Sequence, residues 1–240
     1  MSKIFSGIQP SGELHLGNYL GAVKNWVELQ DKYECIYFIA DYHAITGTYE
    51  PADLRRRTRQ MAISLLAAGL DPKKSTLFVQ SMVPEHTELT WILSSVTPLG
   101  ELERQTQYKD KSSRQESVNA GILFYPVLQA ADILLYRADL VPVGEDQVQH
   151  LELAREVARR SNAKFESDLF PEPKPLLTAT RRIMGLDGQA KMSKSLGNTI
   201  GLLETSDEVW AKLRPAMTDP ARVRKTDPGT PEVCNIYNLH

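Results

Sequence analysis

Cysteine is scarce in this chain: Cys35 and Cys234 are the only two, and they lie near opposite ends of a 240-residue sequence. With no CxxC pair there is no cysteine-based zinc framework and no disulfide scaffold, and a reducing, cytoplasmic setting is expected. Long apolar runs are lacking as well. None approaches the roughly 18 residues of a membrane span. Met1-Ser2-Lys3 leads directly into Ile4-Phe5 without the apolar stretch of a signal peptide, so an intracellular protein that does not enter membranes is expected. Nor is there a surplus of positive charge. The 28 basic and 30 acidic side chains leave a net charge of −2, which excludes adhesion to polyanions by bulk charge and makes any nucleic-acid contact local. What remains, 42% hydrophobic and 24% charged residues with 14 each of Gly and Pro, is the composition of a folded globular protein and excludes disorder and collagen.

Short β-rich runs alternate with longer helical patterns, the signature of an α/β fold in which helices cover both faces of a parallel sheet. Ile4-Phe5 reads as a first strand, Gln9 to Gly12 as a turn, and Leu16, Leu20, Val23 and Val27 as a helical stripe. Cys35 to Ala40 is a continuous apolar run of the kind buried on both faces of a parallel sheet. Pro51 suits a helix start and Gly69 a helix end. Thr76 to Gln80 reads as a third strand, followed by a helix from about Glu85 to Ser95, and Val141-Pro142-Val143 as another strand before a helix opening at Gly144-Glu145-Asp146. The polar stretch from about 98 to 120 looks like an insertion, and Pro171, Pro173 and Pro175 exclude regular helix there. After about Gly201 the pattern is helical, and Glu232 to His240 reads as a helix without a stop signal, so the chain is expected to break off within an element.

Two segments could bind phosphate. FSGIQPSGELHLGNYL, residues 5 to 20, places Gly7, Gly12 and Gly17 where a parallel strand meets a helix N-terminus, and free N–H groups there attract anions. On its own this is equally a glycine-rich turn without chemical role. Lys191-Met192-Ser193-Lys194-Ser195 lies between Gly188 and Gly197, and its lysines and hydroxyls could close on a polyphosphate. The alternative is a solvated basic loop. A third feature is GILFYPVLQAADILLY, residues 121 to 136, an apolar helical run interrupted by Gln129 and Asp132. Tyr125, Gln129, Asp132 and Tyr136 share one face. A carboxylate among apolar neighbours needs a donor, which an indole N–H, an internal arginine or a backbone amide could supply.

HLGN after QPSG, with a downstream KMSKS, resembles the two signatures of class I aminoacyl-tRNA synthetases. FSGIQPSG, GELER, QAADILLY and VPVGEDQ are similar to segments of the bacterial tryptophanyl-tRNA synthetases, over nearly the whole chain. The resemblance implies a Rossmann-like catalytic domain over 1–200 with an insertion around 98–120. Residues 201–240 would be the start of a helical anticodon-binding domain, most of which is expected to lie outside this sequence. It further implies a homodimer that activates L-tryptophan with ATP, Mg²⁺ accompanying the phosphates and no protein-held metal, and transfers it to tRNA(Trp). Asp132 falls on the position that binds the indole nitrogen. Gln129 stands where the family carries a methionine against the ring, which bears on pocket shape and specificity. Phe5, Gly7, His43, Val141 and Val143 match pocket-lining positions, and Tyr125 and Gln147 match those holding the α-amino group. Gln9, Pro10, Ser11, Gly17, Asn18, Gly144, Glu145, Asp146 and Ile183 match the nucleotide site together with the KMSKS residues. Catalytic roles carry over to Lys191, Lys194, Ser193 and Asn18, and to Lys111, otherwise a solvated lysine of the insertion.

Three alternatives stand beside this reading. Tyrosyl-tRNA synthetases share the fold and an aspartate near the ring's polar end, a synthetase-like paralogue would bind without charging tRNA, and nucleotidylyltransferases use an HxGH-like turn but lack the remaining pattern. His43 is otherwise a plain loop residue after CIYFIAD. The cluster Arg55-Arg56-Arg57-Arg59 is either a solvated helix face or a tRNA contact.

Overall fold

The computed structural model describes residues 1–106, 108–109, 118–144, 148–177 and 183–240, with Leu177 and Ser195 described in their backbone alone. Five strands, β1 (Lys3–Ile8), β2 (Glu34–Ile39), β3 (Ser75–Val79), β4 (Leu140–Val143) and β5 (Lys174–Leu177), form one sheet in the order β3-β2-β1-β4-β5. Every pairing is parallel. The helices are α1 (Leu16–Asn18), α2 (Lys24–Leu29), α3 (Asp41–Ala44), α4 (Pro51–Ala67), α5 (Glu85–Ser94), α6 (Leu99–Glu103), α7 (Ala120–Leu135), α8 (Val148–Lys164), α9 (Ser206–Leu213) and α10 (Asn235–Leu239). The chain order βαβ with parallel neighbours makes this a Rossmann-like fold with helices on both faces of the sheet.

Strand β2, paired on both sides, is as expected from its composition: all of Cys35 to Ile39 is buried. Pro51 occupies the first turn of α4, and Gly69 follows the helix with φ +111°, a conformation that favours glycine. The first helical stripe differs from expectation. A π-helical segment, Tyr19–Val23, separates α1 from α2, and Val23 and Trp26, not Val27, are the residues fully withdrawn from solvent. The extra residue per turn rotates the following face. The expected C-terminal helix is divided into a 3₁₀ turn, Pro231–Val233, and α10, while α9 leaves Trp210 63% exposed. In the expected insertion the structure shows α6, and residues 107 and 110–117 lie outside the described residues.

Two prolines sit in strands. Pro175 is tolerated because β5 is the sheet edge. Pro142 is tolerated because β4 meets β1 only at Ile4↔Leu140, so beyond Leu140 no ladder bond to β1 is lost. The two strands thereby part at their carboxyl ends, at the point where strand order reverses, which in open α/β sheets is where ligands bind.

The chain resolves into two compact units, Met1–Ser11 with Val27–Thr178, and Gly12–Trp26 with Ala179–His240. The first contains the sheet and a core in which Phe5, Phe38, Val127, Ile133, Leu134 and Leu151 pack with their neighbours. In the second, His15 and Gly201 form an antiparallel bridge, flanked by Leu16 N–H to Ile200 C=O at 2.8 Å and Leu202 N–H to Leu14 C=O at 3.0 Å. Among the described residues no helix is long and apolar enough to cross a membrane.

Candidate active site

In the first unit a cavity of about 230 Å³ opens at the carboxyl ends of β1 and β4. Phe5, Gly7 and Gln9 line it from β1 and its following turn, Val141 and Val143 from β4, His43 from α3, and Tyr125, Gln129 and Asp132 from α7. Nine residues singled out from the sequence therefore meet in one place. Gly7 is required there, since a Cβ would fall 2.2 Å from the ring of Phe38.

Asp132 is 1% exposed, yet it is not short of donors. Its Oδ1 accepts from Gln80 Nε2 at 2.7 Å and from His86 Nδ1 at 2.6 Å, and its Oδ2 accepts from His43 Nε2 at 2.7 Å. Among the described residues, neither an arginine nor a backbone amide fills the role that the sequence left open. Burial alone would raise this carboxyl's pKa, but hydrogen bonds from His43 and His86, together with their charge, hold it below the ordinary carboxylate value. Because an ionised carboxylate only accepts, His86 Nδ1 donates to it, and the other ring nitrogen, Nε2, lies 3.0 Å from the Tyr136 hydroxyl. Burial, with Asp132 and Glu85 nearby, pushes the Tyr136 phenol up to about 12, so it remains a donor. Gln80 is oriented in turn by the Tyr42 N–H, at 3.1 Å from its Oε1. Stacked rings wall this network, Phe5 on Phe38 at 4.8 Å and Phe5 on Tyr136 at 5.1 Å, and keep its surroundings apolar.

The carboxylate has about four acceptor positions, and among the described residues three are filled. The remaining position is on Oδ2, the oxygen bonded to the cavity residue His43. On the other side of the cavity, Tyr125 meets His43 edge-on at 6.3 Å, and its hydroxyl lies 2.8 Å from His150 Nε2. Gln80, His86 and His150 were not singled out from the sequence. The available signals were a polar residue ending the apolar strand TLFVQ and a chain with only five histidines, of which four are buried.

The second unit holds the two phosphate-binding candidates. His15 caps α1: its Nδ1 accepts the Asn18 N–H at 3.3 Å, while Asn18 Oδ1 accepts the His15 N–H at 3.4 Å. Burial first, then the charges of Lys194 and Lys191, lower the His15 pKa to about 4. The ring is neutral at pH 7 with its proton on Nε2. The Gly17 N–H points at Met192 Sδ, 3.3 Å away, and a Cβ on Gly12 would touch the Lys194 side chain at 3.1 Å. HLGN and KMSKS are thus packed together in this unit.

KMSKS itself is shaped by a turn. Met184 and Lys191 bridge antiparallel, Met192 N–H reaches Ile183 C=O at 2.9 Å, and Asp187 at the turn accepts the N–H groups of Gln189 and Ala190. Asn198, 5% exposed, joins the pieces: its Oδ1 accepts Ser193 N–H at 2.7 Å and its Nδ2 donates to Asp187 Oδ2 at 2.8 Å. Gly185 leaves space for that amide, since a Cβ there would come within 2.0 Å of Asn198 Nδ2.

Of the remaining candidates, Pro10, Ser11 and Gly144 belong to the first unit but do not line the cavity, and Ile183 contributes its carbonyl in the second. Lys111, Glu145, Asp146 and Gln147 lie outside the described residues.

A cavity at the reversal of a parallel sheet, ending on an ionised acceptor, defines a Rossmann-like protein built to seat a small ligand with a donor at its tip. The model of the tRNA synthetases class I (W and Y) matches residues 1–240, and the chain belongs to that family. The tryptophan–tRNA ligase of Deinococcus radiodurans is 57% identical over 245 residues, covering 100% of this chain and 74% of that protein. The tryptophanyl-tRNA synthetase of Campylobacter jejuni, crystallised with ADP and tryptophan, superposes with a TM-score of 0.91 at 41% identity, over 99% of this chain and 73% of that one. The tyrosyl-tRNA synthetase of Archaeoglobus fulgidus, complexed with L-tyrosine, gives 0.74 at 30% identity, over 95% and 68%.

Proposed function

We propose that this chain activates L-tryptophan with ATP to tryptophanyl-adenylate and transfers the aminoacyl group to tRNA(Trp), as a homodimer. The observation that carries this reading is the acceptor position left on Asp132 Oδ2 at the cavity. An indole N–H is a donor only and fills it, whereas a ring lacking that group leaves this one buried acceptor position without a donor. Higher identity to the Deinococcus radiodurans and Campylobacter jejuni tryptophan enzymes than to the Archaeoglobus fulgidus tyrosine enzyme supports the same choice.

Activation is an in-line displacement. The tryptophan carboxylate, ionised at pH 7, attacks the α-phosphorus, the bond to the bridging oxygen of the β-phosphate breaks, and pyrophosphate leaves with that electron pair. No protein nucleophile is needed, so the protein aligns the reactants and offsets charge growing on the phosphates. Asp132 fixes the side chain, Tyr125 and Gln147 hold the α-amino group, and the Gly17–Asn18 turn seats the nucleotide. Lys191, Lys194 and Ser193 engage the departing diphosphate, with His15 Nε2–H as a neutral donor. The residues around KMSKS do not fit a divalent cation of their own: the lysine charges that depress His15 suit an anion. Mg²⁺ accompanying the ATP phosphates would supply further neutralisation of their charge.

Gln129 in the cavity is the one observation favouring a second reading, a tyrosine-activating enzyme, because it offers a polar partner to a phenol. Pyrophosphate exchange measured side by side with tryptophan and tyrosine tests the choice. Exchange with tryptophan alone is expected. Exchange with tyrosine alone would establish the second reading, and exchange with neither would point to a non-charging paralogue. Sedimentation as a single-chain species would remove the homodimer.

A further inference from the structure

The cluster Arg55-Arg56-Arg57-Arg59 takes no part in either signature, and the structure separates it from an ordinary salt-bridged helix surface. On α4, Arg55, Arg56 and Arg59 fall on one exposed stripe with Ala52 and Ile63, beside the half-buried Gln60. Asp53 is the only acidic residue of the helix, and its carboxylate is taken by Arg56 at 2.9 Å and Arg57 at 3.3 Å. Among the described residues, Arg55 and Arg59 have no acidic partner.

The arginines of α8 behave differently. Arg155 meets Glu152 at 2.8 Å and Glu172 at 3.3 Å, Arg159 meets Glu156 and Glu172 at 2.7 Å, and Arg160 meets Glu101 at 2.6 Å and Glu156 at 2.8 Å. A chain with more acidic than basic side chains thus neutralises one arginine-rich helix and leaves the other's outer stripe cationic.

We infer that the Arg55/Arg56/Arg59 stripe of α4 is a docking surface for the phosphate backbone of tRNA. The inference rests on the tRNA-charging reading above. Guanidinium forks suit phosphate better than ammonium groups do, and double-helical RNA is held chiefly through its backbone and shape. Arg55 and Arg59 are four residues apart, about 6 Å along the helix, so both can meet one strand. A membrane is a poorer partner, because Met61 and Leu65 of α4 are buried, and the exposed Ile63 and Leu66 are only two apolar side chains, too few for the broad apolar face that inserts into a bilayer.

The test uses the full chain and an unmodified tRNA(Trp) transcript. Glutamine matches arginine in helix propensity, so the double variant Arg55→Gln/Arg59→Gln keeps α4. Its pyrophosphate exchange with tryptophan should equal wild type, while the transcript Kd rises roughly tenfold and the slope of log Kd against log salt becomes shallower by about 1.5. Arg55→Lys/Arg59→Lys should restore most of the slope. Unchanged Kd and slope in the glutamine variant, with exchange intact, overturn the inference. So does an equal weakening by the control Lys73→Gln, which removes one exposed charge elsewhere, or a loss of binding confined to anionic phosphatidylserine vesicles. Failure of wild-type exchange with tryptophan would strike the functional reading instead.

Discussion

In the proposed function Asp132 is the residue on which ligand choice turns, and its surroundings set what a substitution there does. In Asp132→Asn the shape is kept, but one oxygen becomes an N–H₂ facing donors that cannot accept from it. A hydrogen bond to a charged group contributes about 1.5–3 kcal/mol, so tryptophan affinity should fall roughly ten- to a hundredfold, read by titration calorimetry; an unchanged Kd would remove Asp132 from the site. His15 gives a prediction in pH. Its folded pKa of about 4 lies below the ordinary 6.5, so the unfolded chain binds the proton more readily between those values. The stability linked to the neutral ring is therefore complete above about 6.5 and is lost as pH falls toward 4. The His15 ring resonance should stay flat from pH 8 to about 5 in the free protein, and its midpoint should move upward when ATP brings negative charge beside Lys191 and Lys194. A midpoint unmoved by ATP would place the phosphates elsewhere. At this scale much was legible. Asp132 betrayed itself as a carboxylate in an apolar helix, but its partners did not, because Gln80 directly follows β3 and His86 lies on α5, and only the folded sheet brings them to 2.7 and 2.6 Å.

Among the elements, the KMSKS turn depends on Asn198 as much as on its lysines. In Asn198→Ala the Ser193 N–H loses its acceptor and Asp187 its side-chain donor, so the turn is no longer held in one geometry. Both Asn198→Ala and Lys194→Ala should slow pyrophosphate exchange, the lysine variant by orders of magnitude, while leaving tryptophan Kd nearly unchanged, the pattern of contacts made mainly in the transition state. Equal losses in rate and affinity would contradict it. Elements with strong local patterns were readable: the buried run at β2, the proline-started α4 and the apolar α7 appear within a few residues of where the sequence places them. β5 was not, since three prolines between 171 and 175 speak against regular structure, and only its position at the sheet edge makes Pro175 acceptable. The π-helical turn at Tyr19–Val23 likewise has no local signature in the residues that form it.

For the molecule as a whole, a reading along the chain draws one boundary near residue 200, whereas the compact units divide after Thr178 and gather Gly12–Trp26 with Ala179–His240. That grouping is carried by pairings such as Leu16 with Ile200 and Gly17 with Met192. Contacts so distant in sequence leave no periodicity to read. The division nevertheless has a measurable consequence, because every residue lining the cavity belongs to the first unit, and HLGN and KMSKS belong to the second. A ligand stabilises what it binds by RT ln(1 + [L]/Kd), about 2.7 kcal/mol at a hundredfold excess over Kd. Saturating tryptophan alone should then slow hydrogen exchange in peptides covering 36–43 and 122–133, and leave those covering 12–20 and 184–198 near their free rates. ATP alone should slow the latter pair. Protection by tryptophan spread evenly over both sets of peptides would contradict a tryptophan site confined to the cavity of the first unit.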